Sequence, residues 1–303
     1  MRLVIAIGGN ALLKRGEPLS AVNQSRNMAM SAIGLAQICA GNEVAIVHGN
    51  GPQVGLLALE ASLYKDVPPY PFDVLGAESQ GMIGYVIAQA MRNALPGRKV
   101  AALLTQTLVD KGDPAFERPT KPIGPVYTEA QIKALKPPPD WHFAADGPNL
   151  RRVVPSPKPL DIIELPAIKC LIQAGVLTIC CGGGGIPVID DKDVGSVGTT
   201  KGVEAVIDKD LASALLAIKL GADRLIILTD VDGVYVNWRQ PAQKLVRATT
   251  VAELQAMKFA EGSMGPKVEA ACQFVAVTGH SVSIGNLQAA ADVMSGKAGT
   301  MVS

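Results

Sequence analysis

Aromatic residues are scarce, only 4% of a chain whose hydrophobic fraction is 48%. The core is therefore aliphatic, as in packed parallel strands and helices, and few rings remain on which bases could stack. An excess of charge of one sign is also missing. With 28 basic against 27 acidic residues and a formal net charge of +1, no global field draws in a polyanion, and nucleic acid is not an expected partner. Any basic site must be local. The five cysteines (Cys39, Cys170, Cys180, Cys181, Cys272) are odd in number and contain no CxxC pair, which points to neither a zinc site nor a disulfide framework. Cys180 and Cys181 read as small buried residues, and a reducing cytoplasm is the expected setting. No apolar run is long enough to span a membrane, and Met1 to Ile7 meets glycine before a signal-peptide core could form. The GxxxxGK[ST] loop is absent. Gly49-Asn50-Gly51-Pro52-Gln53-Val54-Gly55 has one residue too many for GxGxxG, so a dinucleotide enzyme has weak support.

What the chain does have is a repeated unit. Leu3 to Ile7 is an apolar run that empties into Gly8-Gly9-Asn10; Ser20 caps a helical pattern that stops at Gly41. Val44 to Val47 is a second strand, followed by His48-Gly49-Asn50-Gly51 and a helix opened by Pro52. Helices are expected over Gly76 to Met91 and Pro166 to Ala174, and strands over Val100 to Leu104, Val176 to Cys181, Arg224 to Thr229 and a last region from Val275 to Ile284. At 303 residues this predicts an α/β fold with a doubly wound sheet, whose ligands bind beyond the carboxyl ends of the strands.

Two lysines conflict with local electrostatics. Asp208 is placed to cap a helix from Lys209 to Leu220, closed by Gly221, and Lys209 then sits in the first turn, where the macrodipole is positive. Glu261-Gly262-Ser263-Met264-Gly265 feeds a second helix, read as beginning at Pro266, which puts Lys267 in the same predicament. Each lies near a glycine-bearing loop, the first being Gly182-Gly183-Gly184-Gly185. An anion that neutralises both lysines, a phosphoryl group, resolves the conflict. The alternative is that both side chains point to solvent.

From Asp110 to Pro166 lie twelve of the 21 prolines, which cannot continue regular helices or central strands, so this segment is expected to be an inserted lid. It carries Lys121 and Arg151-Arg152, candidates for a phosphate clamp or simply a solvated charged loop. Asp230 and Asp232 close the Arg224–Thr229 strand and could touch a nucleotide or a metal, or make a plain turn. His48 and His280 are assigned structural roles.

The segments Gly8-Gly-Asn-Ala11, His48 to Gly55, Ser79-Gln-Gly-Met-Ile-Gly-Tyr85, Lys121-Pro-Ile-Gly124, Gly182 to Pro187, Ala205 to Ala212 and Gly262 to Lys267 together resemble the carbamate kinases of the amino acid kinase family, almost from end to end. The resemblance implies a three-layer αβα sandwich with an open, mainly parallel sheet: one domain over 1–303, with an N-terminal half (1–175) for carbamate or carbamoyl phosphate, a lid at about 110–166, and a C-terminal nucleotide half (176–303). It implies reversible transfer between carbamoyl phosphate plus ADP and carbamate plus ATP, with Mg2+ on the nucleotide, in a cytoplasmic homodimer serving catabolic ATP synthesis in arginine metabolism. By motif, Lys209 and Lys267 would hold the transferring group, Asp210 would orient them and Lys121 would close from the lid. Gly8, Gly9, Asn10, Gly49, Asn50, Gly51 and Arg152 would bind substrate or phosphate. Gly183, Gly184, Asp208, Asp230, Asp232, Met264 and Gly265 would bind nucleotide. No protein-held metal is expected.

One segment departs from the family. Where a typical member looks like Gly-Arg-Gly-Tyr, this chain has Gly147-Pro148-Asn149-Leu150. The change is either neutral drift in the lid or the mark of a divergent member acting on another small carboxylate; a separate alternative is a non-catalytic carbamoyl phosphate-binding protein. Retention of Lys121, Lys209, Asp210 and Lys267 argues against the latter.

Overall fold

A computed structural model describes all residues except 15, 65, 140, 192–198, 258 and 260–263, and the backbone alone of Asn10. In chain order the elements are β1 (Arg2–Ile7), α1 (Ala21–Cys39), β2 (Glu43–His48), α2 (Gly51–Leu63), α3 (Phe72–Ala94), β3 (Val100–Ala102), β4 (Gln106–Val109), β5 (Lys121–Tyr127), α4 (Glu129–Leu135), β6 (His142–Asp146), β7 (Asn149–Val154), β8 (Pro159–Ile162), α5 (Leu165–Gln173) and β9 (Leu177–Ile179). The chain continues through β10 (Ile186–Asp190), β11 (Thr200–Gly202), α6 (Lys209–Leu220), β12 (Arg224–Thr229), β13 (Tyr235–Val236), β14 (Lys244–Leu245), β15 (Ala248–Thr249), α7 (Val251–Ala256), α8 (Met264–Thr278), β16 (Val282–Asn286), α9 (Ala290–Ser295) and β17 (Thr300–Val302).

The main sheet has the order β15-β17-β16-β12-β1-β2-β9-β3. The ladder from β16 to β3 is parallel throughout, while β17 runs antiparallel to β16. Alternation along β1 explains why both faces are covered. Val4 and Ala6 join the core under α5, α6 and α8; Leu3, Ile5 and Ile7 join the core under α1, α3 and α9. A strand buried on both faces reads as the continuous apolar run seen in the sequence. The result is the expected three-layer α/β sandwich.

Local chemistry fixes the helix ends that matter. Ser20 accepts from the Asn23 N–H at 3.3 Å as the cap of α1. Asp208 caps α6, and Gly221, at φ +61°, terminates it in the left-handed conformation that glycine takes without a steric penalty.

The proline-rich segment divides in two. β5, β7 and β6 form an antiparallel sheet of their own, the part of the segment expected to be a lid, whereas β8 leaves it to pair with β4 in a second sheet of order β11-β10-β4-β8. The lid is seated closely on α2: a methyl on Gly55 would fall on the backbone of Gly124, itself at φ +67°. Ile123, Val154 and Val206 share one apolar cluster with Val54 and Phe72, so the lid root is packed into the body. Gly147-Pro148-Asn149-Leu150 lies at the far end, where Gly147 (φ +63°) and Pro148 make the turn between β6 and β7.

Three expectations are corrected. Val275 to Thr278 is the last turn of α8 and not strand; the strand is β16, after Gly279 at φ +69°. A short apolar run does not distinguish a strand from a half-buried helix, and here Ala271, Phe274 and Val275 bury one helical face while Val277 is exposed. Helix α8 also begins at Met264, two residues before Pro266; the preceding Glu261, Gly262 and Ser263 lie outside the described residues. Cys181, expected inside a strand, is a buried residue at φ +49° just beyond β9.

Candidate active site

The two helix-start lysines converge. Lys209, the first residue of α6, and Lys267, in the first turn of α8, both donate to Asp210, at 2.5 Å to Oδ1 and 3.2 Å to Oδ2. Their side chains are 11% and 14% exposed, and that of Asp210 is 3% exposed. The solvent-pointing alternative is thereby removed. Burial opposes ionisation of the Asp210 carboxyl, but the two ammonium groups outweigh it and hold the group well below the usual carboxylate range. Burial pushes the Lys209 ammonium below its ordinary value despite Asp210; at Lys267 burial is outweighed by Asp210 and Asp208, and the shift is upward. Lys121, the first residue of β5, forms an ion pair with Asp208, whose other oxygen accepts the Asp210 N–H at 2.8 Å. Three cations and two carboxylates, drawn from the lid, α6 and α8, thus meet at one place, with an excess of positive charge.

The glycine loops abut this cluster. A Cβ on Gly49 would lie 3.3 Å from Lys209 Cδ and 3.5 Å from the Gly9 nitrogen, so the lysine stem runs along the loops that follow β1 and β2. Gly8 donates to Leu228 O at 2.9 Å, Gly51 opens α2, and the Asn10 side chain lies outside the described residues. Asn50 donates to Ser79 Oγ at 2.9 Å. Gly183 and Gly184 are buried against Asn50 and Ile207, joining the loop after β2 to the segment that leads into Asp208.

Beyond Lys267 opens a cavity of about 510 Å³ lined by Thr229, Asp230, Tyr235, Trp238, Met257, Phe259 and Met264, among others. Of the residues expected to bind nucleotide, Asp230 and Met264 line this cavity. Gly265, Asp232, Asp208, Gly183 and Gly184 do not line it; Asp232 accepts instead from Tyr235 Oη (3.3 Å) and Asn286 Nδ2 (3.1 Å). Arg152 lines a different cavity from Lys267. Its guanidinium lies 3.6 Å from the centre of the Trp141 ring and 4.9 Å from that of Phe72, at a cavity of about 320 Å³ that shares no lining residue with the larger one. Sequence reading missed Tyr235, Trp238, Met257 and Phe259, because isolated rings and methionines carry no local pattern. Buried Gln80 was passed over as well, although it lies in a quoted motif: it receives the Thr105 N–H and donates to Thr105 O and Gly182 O, between 2.8 and 3.1 Å.

His48 is structural. It is buried, its Nδ1–H donates to the Gly49 carbonyl at 3.1 Å, and burial pushes its pKa down to about 4, against the smaller upward pull of that bond. Between that value and an unfolded value near 6.5 the unfolded chain binds the extra proton, so the neutral histidine's contribution is complete above pH 6.5 and is lost as pH falls towards 4. Urea melts should show about 2 kcal/mol of this contribution lost at pH 5 relative to pH 7, and His48→Gln should remove that part of the slope. His280 is exposed, and its backbone N–H donates to Thr278 Oγ1 at 3.1 Å.

An α/β sandwich with paired helix-start lysines at a strand-end cleft can hold an anionic group such as a phosphate. A sequence model of the amino acid kinase family matches residues 1–286, and the chain belongs to that family. It is similar to the carbamate kinase of Haemophilus influenzae, 51% identical across 100% of this chain and 96% of that protein. The carbamate kinase of Escherichia coli K12 is 49% identical over 99% of each. Among solved structures, carbamate kinase from Giardia lamblia bound to AMP-PNP superposes with a TM-score of 0.88 at 42% identity, covering 99% of this chain and 98% of that one. The same enzyme bound to citric acid gives 0.91 at 43%, covering 99% and 97%.

Proposed function

We propose that the chain transfers a phosphoryl group between carbamoyl phosphate and ADP, yielding carbamate and ATP. The observation that carries this reading is Asp210 gathering the Lys209 and Lys267 ammonium groups between the glycine loops and the nucleotide-sized cavity. Carbamoyl phosphate lies against the loops at Gly8, Gly9 and Asn10 and at Gly49, Asn50 and Gly51. ADP enters the larger cavity, phosphates towards Lys267 and base towards Trp238 and Met264. The P–O bond to the carbamoyl oxygen breaks, a bond to a terminal ADP oxygen forms, and total charge is unchanged, so no general base is needed. Catalysis is positioning and neutralisation of charge on the moving group, which Lys209, Lys267 and Lys121 supply.

Magnesium carried in on the nucleotide would offset phosphate charge, and Asp230, on the wall of the large cavity, is the carboxylate that would hold it.

The chain acts as a homodimer in the cytoplasm. Val22 and Ile33 on α1 (75% and 65% exposed) and Tyr85 on α3 (64%) give these neighbouring helices an apolar outer face suited to a second copy. Sedimentation should find a dimer, and Ile33→Asp should shift it to monomer.

The deciding experiment is ATP formation from carbamoyl phosphate, ADP and magnesium by the wild-type chain and Lys209→Ala. Fast, lysine-dependent synthesis supports the reading, and no synthesis by folded protein overturns it.

A further inference from the structure

Asp208 uses its two oxygens differently. Oδ1 caps α6, accepting from the N–H groups of Asp210 at 2.8 Å and Leu211 at 3.4 Å, while Oδ2 takes the Lys121 ammonium from the lid. The side chain is only 9% exposed and does not line the large cavity. Around it the lid root is tied to the same segment: Val206 N–H donates to Pro155 O at 2.9 Å, and Lys121 is paired in register with Val154 on β7. The charge on Lys121 is also among those that lower the Asp210 carboxyl, so this ammonium lies within electrostatic reach of the central cluster.

Resting on the phosphoryl-transfer reading above, we propose that Asp208 is a positioning residue for Lys121: it fixes the lid lysine to the first turn of the helix that presents Lys209 and Asp210, and makes no contact with nucleotide. A flexible lysine stem has many rotamers, and a carboxylate with its other oxygen locked in a helix cap is a rigid anchor. Without the anchor the ammonium is present but misplaced, an error that costs rate more than binding. The negative charge also offsets some of the excess positive charge before substrate arrives.

Asparagine and aspartate cap helices about equally well, so Asp208→Asn removes the charge and keeps the cap. Steady-state kinetics and melting temperatures would be compared for wild type, Asp208→Asn, Lys121→Ala and the double variant. Asp208→Asn is expected to lower kcat by about tenfold or more, with KM for ADP and the melting temperature little changed, and to have no further effect on kcat in the Lys121→Ala background. An equal loss in both backgrounds, or a raised KM for ADP at unchanged kcat, would overturn the proposal. A second readout needs no activity. Amine labelling of the unliganded protein, mapped by mass spectrometry, should be several-fold faster at Lys121 in Asp208→Asn than in wild type, with Lys209 and Lys267 unchanged. Equal labelling at Lys121 would overturn the anchor even if carbamoyl phosphate proved to be the wrong substrate.

Discussion

Alanine at Lys209 lowers the rate of ATP formation by on the order of 10² or more, the usual scale for removing one preorganised charge contact from a transition state. The melting temperature stays near that of the wild type or rises. The lysine is buried, and desolvation is the largest influence on its ammonium, with Lys267 adding repulsion. Its loss relieves both, together with the unfavourable placement at a helix N-terminus, while Asp210 keeps Lys267 as a partner at 3.2 Å. Rate and stability should therefore separate, as expected of a residue held in place for function. A melting temperature that collapses together with the rate, or a rate that survives, would sink this account. Since the alkaline limb of kcat/KM reports free-enzyme groups, and burial lowers the Lys209 ammonium from its ordinary value of 10.5, that limb should begin below pH 10.5 in the wild-type chain.

Alanine at Asp210 has the opposite character and destabilises by about 3–5 kcal/mol, the cost of breaking a buried ionic group by removing one side. Asp210 is 2% exposed, and its removal takes away the carboxylate that both buried ammonium groups share, leaving only the more distant Asp208 and, at Lys267, Asp230 to offset their repulsion. The sign of the pH dependence follows from the depressed carboxyl. The stabilisation is complete above the unfolded value of 3.8 and disappears as pH falls below it towards the folded value, so the gap between wild type and variant should narrow only in acid. Denaturant melts at pH 7 and pH 3 would measure this. Inorganic phosphate should raise the melting temperature of the variant, because an anion can take the place of the missing carboxylate. Turnover should fall too, since the lysines lose the group that holds them.

Much of this was legible in the sequence, and the reason differs from feature to feature. β1, β2 and β12 could be read because strands buried on both faces are unbroken apolar runs bounded by glycine. The site lysines could be read because each violates a local rule at a helix start, and a violation that local structure cannot excuse points to a ligand. The start of α8, the strand at Val282 and the antiparallel β17 could not. A half-buried helix turn and a short strand have the same apolar content, and an edge strand of three residues carries no period of its own.

The sequence by itself determined the fold class, the glycine loops at the strand ends, the helix that Asp208 caps and the lysines that demand an anion, because these depend on interactions within a few residues. Only the tertiary structure decided which charge meets which. Asp210 joins Lys209 to Lys267 across 57 positions, Asp208 takes Lys121 from 87 positions away, Arg152 stacks on Trp141, and Trp238 and Met264 come to one cavity wall. Such pairings are set by how the layers pack and where the lid root seats, and no local propensity encodes them.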